Sequence, residues 1–189
     1  FRRYGLPERI SCDNGTPWGT VQREDRLTRL GVWLIRLGVG LSHARPYHPQ
    51  TNGKDERFHR TLQAGLLQQR TLRDWTEAQQ SFDAYRDLYN FERPHQALGL
   101  AVPASRYRPS ARSFPDKLPA IDYDPIHPVR KVDCTGRINF YRQRFRISKA
   151  LAGQPVALCA EPDQDGRFSV LFCHHRVRQI DLREPDLAD

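Results

Sequence analysis

The chain contains no methionine among its 189 residues, and residue 1 is Phe1. Translation starts on methionine, so the chain is expected to be a fragment whose beginning is missing. Cysteine is also sparse: Cys12, Cys134, Cys159 and Cys173 show no paired spacing. That argues against a zinc ribbon or a disulfide framework and is compatible with a reducing cytosol. No apolar run is long enough to span a membrane, so no membrane partner is expected. No signal or transit segment is visible at the start, and there is no internal repeat or low-complexity tract. Acidic residues are the minority charge, 22 against 30 Lys and Arg, for a net charge of +8. That balance favours a polyanionic partner, most simply nucleic acid. Ribosomal or membrane-surface binding would give the same balance, so charge alone decides little.

Taken in order, Phe1 to Gly5 reads as the last turn of a helix closed by glycine. Arg9 to Cys12 is a short strand ending at Asp13-Asn14-Gly15, a turn signature. Asp13 thus falls at the carboxyl end of a strand, where α/β folds gather their chemistry. Leu27, Leu30, Leu34 and Leu37 follow helical spacing, and Gly38 and Gly40 end that helix. Val39 to Ala44 predicts a second strand, running into the rigid turn of Pro46-Tyr47-His48-Pro49. A helix then begins near Thr51-Asn52, with Phe58, Leu62 and Leu66 expected as one buried stripe. Glu56 lies about 200° around that helix from Phe58, off the stripe, beside Lys54, Arg57 and Arg60. A further amphipathic helix is predicted from about Asp74 to Tyr89, lined by Trp75, Ala78, Phe82, Tyr85 and Tyr89. Asn90 to Gly99 is expected to break it.

Residues 101–128 hold many prolines and no periodicity, and predict an extended linker. Beyond them the period becomes two. Ile138 and Phe140, Phe145 and Ile147, Val156 and Leu158, then Phe168, Val170 and Phe172 alternate with polar residues. Asp165-Gly166 marks a hairpin turn. These short strands predict a small β-barrel over 129–183, with Arg137, Arg142, Arg144 and Arg146 as an outward basic rim.

Asp13 and Glu56 are the acids that stand out. Paired carboxylates suit a hard cation such as Mg²⁺, and two such ions about 4 Å apart serve phosphodiester chemistry. Each acid also has a plain reading. Asp-Asn-Gly is a common turn, and an acid near a helix start is favourable in itself.

Three motifs carry a resemblance. They are Ser11-Cys12-Asp13-Asn14-Gly15-Thr16-Pro17-Trp18, the run from Arg45 to Leu62, and Tyr89 to Gly99 followed by Pro103-Ala104-Ser105-Arg106-Tyr107. In that order they resemble the integrase-type DDE transposases of bacterial insertion sequences, which share a catalytic core with retroviral integrases. The tail is similar to the small barrel that follows the core in one branch of that family. The resemblance implies a ribonuclease-H-like α/β core, of which residues 1–100 would be the carboxyl-terminal part. It implies Mg²⁺- or Mn²⁺-dependent DNA strand cleavage and strand transfer, with Asp13 and Glu56 as catalytic metal ligands. Asp55 competes with Glu56, but the family's acid directly precedes Arg-Phe-His, and one residue turns the helix direction by 100°.

The implied DNA contacts are Lys54, Arg57 and Arg60, with Arg142, Arg144 and Arg146 meeting the backbone rather than base edges. His48, His59 and His95 fall in segments that the family uses for structure or for DNA. Cys173-His174-His175 is a weak zinc suggestion, since neighbours on a strand face opposite ways. The implied form is a homo-oligomer on paired DNA ends in the bacterial cytoplasm, associated with the nucleoid. The family's first acid lies upstream of an opening helix that survives here as Phe1 to Gly5, so this chain alone is expected to be inactive. A non-catalytic DNA-binding remnant or regulatory fragment is the alternative. A general ribonuclease-H-like nuclease fits the acids, but not the Arg93-Pro94-His95 segment or the barrel.

Overall fold

The computed structural model describes residues 1–13, 15–19, 27–43 and 53–184. His48 and the turn around it lie outside the described residues. The chain divides into two compact units, Phe1–Pro46 with Arg112–Asp189, and Tyr47–Ala111.

In the first unit, β1 (Arg9–Cys12) and β2 (Gly40–His43) pair in parallel, with α1 (Arg29–Arg36) between them in sequence. Parallel neighbours need a crossover, and the helix supplies it. The Thr28 hydroxyl caps α1 by accepting the Gly31 N–H at 3.0 Å. The helix is buried on two sides. Leu34, with Leu37 and Val39, packs against Leu6 and the β1–β2 layer. Val32 and Ile35 instead join the core of the strands that follow residue 128. Upstream, the Gly5 N–H bonds to the Phe1 carbonyl at 2.8 Å, a single helical turn closed at Gly5.

The later strands are β3 (Val129–Lys131), β4 (Arg137–Phe140), β5 (Gln143–Arg146), β6 (Pro155–Ala160), β7 (Arg167–Phe172) and β8 (His175–Asp181). Their inward residues follow the period of two: Ile138, Phe140, Phe145, Val156, Leu158, Val170 and Phe172 are buried together with Ile147. The small barrel expected over 129–183 is not seen to close. Among the described residues, β3-β6-β7-β8 form one antiparallel sheet and β4-β5 a separate hairpin. Alternation identifies which side chains point inward, but not which strand edges meet.

The stretch before β3 is pinned rather than loose. The Arg112 guanidinium donates to the Leu37 carbonyl at 2.6 Å and to the Pro7 carbonyl at 3.1 Å. Phe114 joins Phe1 and Trp33 in an aromatic cluster. The Tyr123 hydroxyl lies 2.9 Å from the Pro155 carbonyl and accepts the Cys173 N–H at 3.0 Å.

The second unit holds α2 (Gly53–Leu62), which runs into a π-helical turn at Gln63–Leu67, and α3 (Trp75–Asp87), followed by another at Leu88–Glu92. The expected stripe on α2 is not buried: Phe58 is 37% exposed and only Leu66 enters a core. Phe58 meets the edge of Tyr89 at 5.2 Å, and Tyr89 meets His95 at 4.8 Å, a short aromatic ladder. The expected face of α3 fails similarly, with Trp75 92% exposed and only Tyr85 of the five buried. The helical path continues through Asn90 to Glu92 instead of breaking. On α2 the π turn falls between Leu62 and Leu66 and shifts the register by one residue, so Leu66 leaves the side that Phe58 occupies, whereas Trp75 stands exposed as the first residue of α3. Asp74 caps α3 by accepting the Glu77 N–H at 2.8 Å, and the Glu77 carboxylate returns to the Arg73 N–H at 3.1 Å.

Candidate functional site

Asp13 follows the last residue of β1 and is exposed. Its Oδ1 accepts the Gly15 N–H at 3.0 Å, which orients the carboxylate from its own turn. The parallel register sets Cys12 opposite His43, so His43 stands at the carboxyl end of β2 beside Asp13. His43 Nδ1 lies 3.1 Å from the Asp13 carbonyl oxygen. A carbonyl can only accept, so Nδ1 carries the proton and donates. Cys12 Sγ is 3.6 Å from the same nitrogen. Burial pushes the Cys12 thiol up, and the Asp13 charge pushes it the same way. It stays protonated, packing as a small apolar group rather than attacking as a thiolate. Nothing in the sequence marks His43, because its place depends on the strand register.

Along the β1–β2 pair and α1 opens a cavity of about 550 Å³, which His43 lines and Asp13 does not. Its lining mixes aliphatic side chains such as Ile35, Leu41 and Val177 with Trp18, His43 and Arg176. Trp18 is therefore a cavity wall as well as a neighbour of the Leu34 core. Cys173 and His174 form the β7–β8 turn, with Cys173 at φ 51.

Glu56 lies in the second unit, in the first turn of α2 with Asp55. Lys54, Glu56, Arg57 and Arg60 are all exposed. Lys54 and Arg57, then Arg57 and Arg60, are three apart, so the cations trace a stripe along the helix. Acids in a first turn are favoured by the helix dipole, so this geometry holds Glu56 and Asp55 equally well. None of the ion pairs among the described residues uses Asp13 or Glu56. Both present carboxylate oxygens, the donor type a hard divalent cation takes.

On the hairpin, Arg142 and Arg144 are exposed and Arg146 is half-buried. Arg144 is engaged with Asp133 at 2.9 Å. The Thr135 hydroxyl, with the Arg137 N–H and then Arg144, holds the Asp133 carboxyl well below the usual range.

Two segments match known families. Residues 37–103 match the Integrase core domain, and residues 127–187 match the C-terminal domain of the IS481 family transposase. The first match covers β2 and the whole Glu56 segment and leaves Asp13 outside it. Integrase cores have a ribonuclease-H-like α/β fold, act as polynucleotidyl transferases and typically use a divalent metal. The parallel β1–β2 pair with its crossover helix is consistent with such a fold. Among the described residues, no helix is long and apolar enough to cross a membrane. The order of the two matches is that of a transposase core followed by its C-terminal domain, and the chain belongs to the integrase-type transposases of insertion sequences, which act on DNA in transposition.

Proposed function

We propose that this protein takes part in metal-dependent DNA strand cleavage and strand transfer, with Asp13 and Glu56 as the carboxylates that hold Mg²⁺ or Mn²⁺. The observation that carries the reading is an exposed acid at the carboxyl end of a parallel strand pair, held in its turn by Gly15 and flanked by His43. A divalent cation, when bound, supplies Lewis-acid stabilisation of the charge on phosphate oxygens. The chain's own part is placement. The Gly15 N–H fixes one oxygen of Asp13, and His43 fixes the backbone beneath it. The Lys54, Arg57 and Arg60 stripe meets phosphates beside Glu56. Arg142, Arg144 and Arg146 meet the backbone elsewhere, giving affinity without sequence choice.

In the first reaction, water attacks a phosphodiester at the element's end, the P–O bond breaks and a 3′-hydroxyl departs with the proton. In the second, that 3′-hydroxyl attacks a target phosphodiester, joining the strands and releasing a target 3′-hydroxyl. Bond for bond the exchange balances, so no covalent enzyme intermediate and no organic cofactor are required. The working form is a homo-oligomer on paired DNA ends.

The test is plasmid nicking by the chain in Mg²⁺ or Mn²⁺, with Glu56→Gln, Asp13→Asn and Asp55→Asn beside it. Any nicking that the chain retains is expected to fall to background in the first two, and to survive mostly in Asp55→Asn. Nicking indifferent to Glu56→Gln would overturn the assignment. DNA binding without any nicking would favour the second reading, a non-catalytic DNA-binding fragment.

A further inference from the structure

The β4–β5 hairpin closes with only two residues, Tyr141 and Arg142, both left-handed with φ 45 and 63. Turns of this kind are ordinarily built from Asn-Gly, because a side chain resists positive φ at both positions. Here a large aromatic and a long cation hold those positions. Tyr141 is 68% exposed. Its ring is propped from behind, edge-on to the buried Phe140 at 4.7 Å and tilted against Phe168 at 6.4 Å. The aromatic is thus stationed at the tip on a firm base.

The outward face of the hairpin is basic. The register sets Arg137 directly opposite Arg146, and Asn139 opposite Arg144. Arg130 from β3 adds a further cation over the Phe140 ring, at 5.6 Å. Asp133 pairs with Arg144 at 2.9 Å. A polyanion that also offers flat apolar faces would match this row of cations and use the exposed ring.

We infer that the Tyr141–Arg142 tip is a base-stacking contact: the hairpin arginines hold DNA phosphates, and Tyr141 stacks on an unpaired nucleobase. Inside a duplex both faces of each base are covered by neighbours, so only an unpaired or unstacked base offers one to Tyr141. The inference rests on reading these strands as DNA-binding and adds the kind of DNA they prefer.

The experiment is fluorescence anisotropy of the full chain with a labelled duplex and with the same duplex carrying a short unpaired patch. The wild type is expected to bind the patched DNA about tenfold more tightly. Tyr141→Phe keeps that preference. The double change Tyr141→Asn with Arg142→Gly installs the favoured turn, so its thermal midpoint rises while the preference falls to within about twofold. Arg146→Ala weakens both DNAs alike and lowers the salt dependence. A double variant that retains the preference overturns the inference, as does a Tyr141→Phe protein that loses it. A wild type that binds paired duplex without preference overturns this inference alone. A wild type that binds neither DNA overturns the DNA-binding reading as well.

Discussion

Gly136 joins the hairpin to the segment after it, and its surroundings allow no side chain. It has φ +86, and a Cβ there would lie 2.5 Å from the Lys149 backbone nitrogen and 2.7 Å from two further backbone atoms. Its carbonyl already accepts the Ile147 and Ser148 N–H groups, so the backbones cannot separate without losing those bonds. Gly136→Ala is expected to cost at least about 2 kcal/mol, combining left-handed strain with forced backbone movement. Urea denaturation reads it as a lower midpoint. Gly53→Ala is the control, since nothing lies within 4 Å of the added methyl at the start of α2. An equal loss at both positions would rule out the close approach as the cause.

At the scale of elements, α1 joins two cores, Leu34 and Leu37 on one side and Val32 and Ile35 on the other. Its carboxyl end is held by a residue far along the chain. Arg112 donates to the Leu37 carbonyl, a group at the helix terminus with no partner within the helix. The guanidinium charge also suits that end of the dipole. Arg112→Ala is expected to destabilise the first unit by about 1.5–3 kcal/mol, the range for a hydrogen bond to a charged group. Trp33, stacked on Phe1 at 5.8 Å and near Phe114, reports the loss in near-ultraviolet circular dichroism. An unchanged signal and midpoint would mean that the apolar contacts of Phe114 hold this segment unaided.

For the whole molecule, acid stability is a property of the first unit. Arg183, then Arg167, hold the Asp181 carboxyl well below the usual range, and Asp133 is held down in the same direction. A carboxylate depressed in the folded state binds fewer protons there than when unfolded. Its stabilisation is therefore complete above the ordinary value of about 3.9 and drains away as pH falls below it. The thermal midpoint of the first unit should be level from neutral pH to about pH 5 and decline below about pH 4. Asp181→Asn should flatten part of that decline, and a decline of unaltered steepness would exclude Asp181 as its source. The excess of positive charge belongs to the molecule as a whole, and the family's partner, DNA, is the polyanion it suits.

The sequence by itself determined the local elements whose cause is local. Arg9 to Cys12 is a strand stopped by Asp-Asn-Gly, Phe1 to Gly5 is one closed turn, and the pairs Ile138 and Phe140, Phe145 and Ile147, Val156 and Leu158, and Val170 and Phe172 are buried, with Phe168 only partly so. The motif order also determined the family, because the Glu56 segment, the Arg93-Pro94-His95 segment and the alternating tail are written in the chain. Tertiary structure decided everything that depends on which edge meets which. It placed His43 beside Asp13 through a strand register, and it left Phe58 and Trp75 exposed where a helical stripe reads as buried. It also resolved the alternating strands into a sheet and a separate hairpin. Periodicity reports the face of one element at a time, whereas register, edge pairing and the reach of Arg112 back to Leu37 come from contacts between residues distant in sequence.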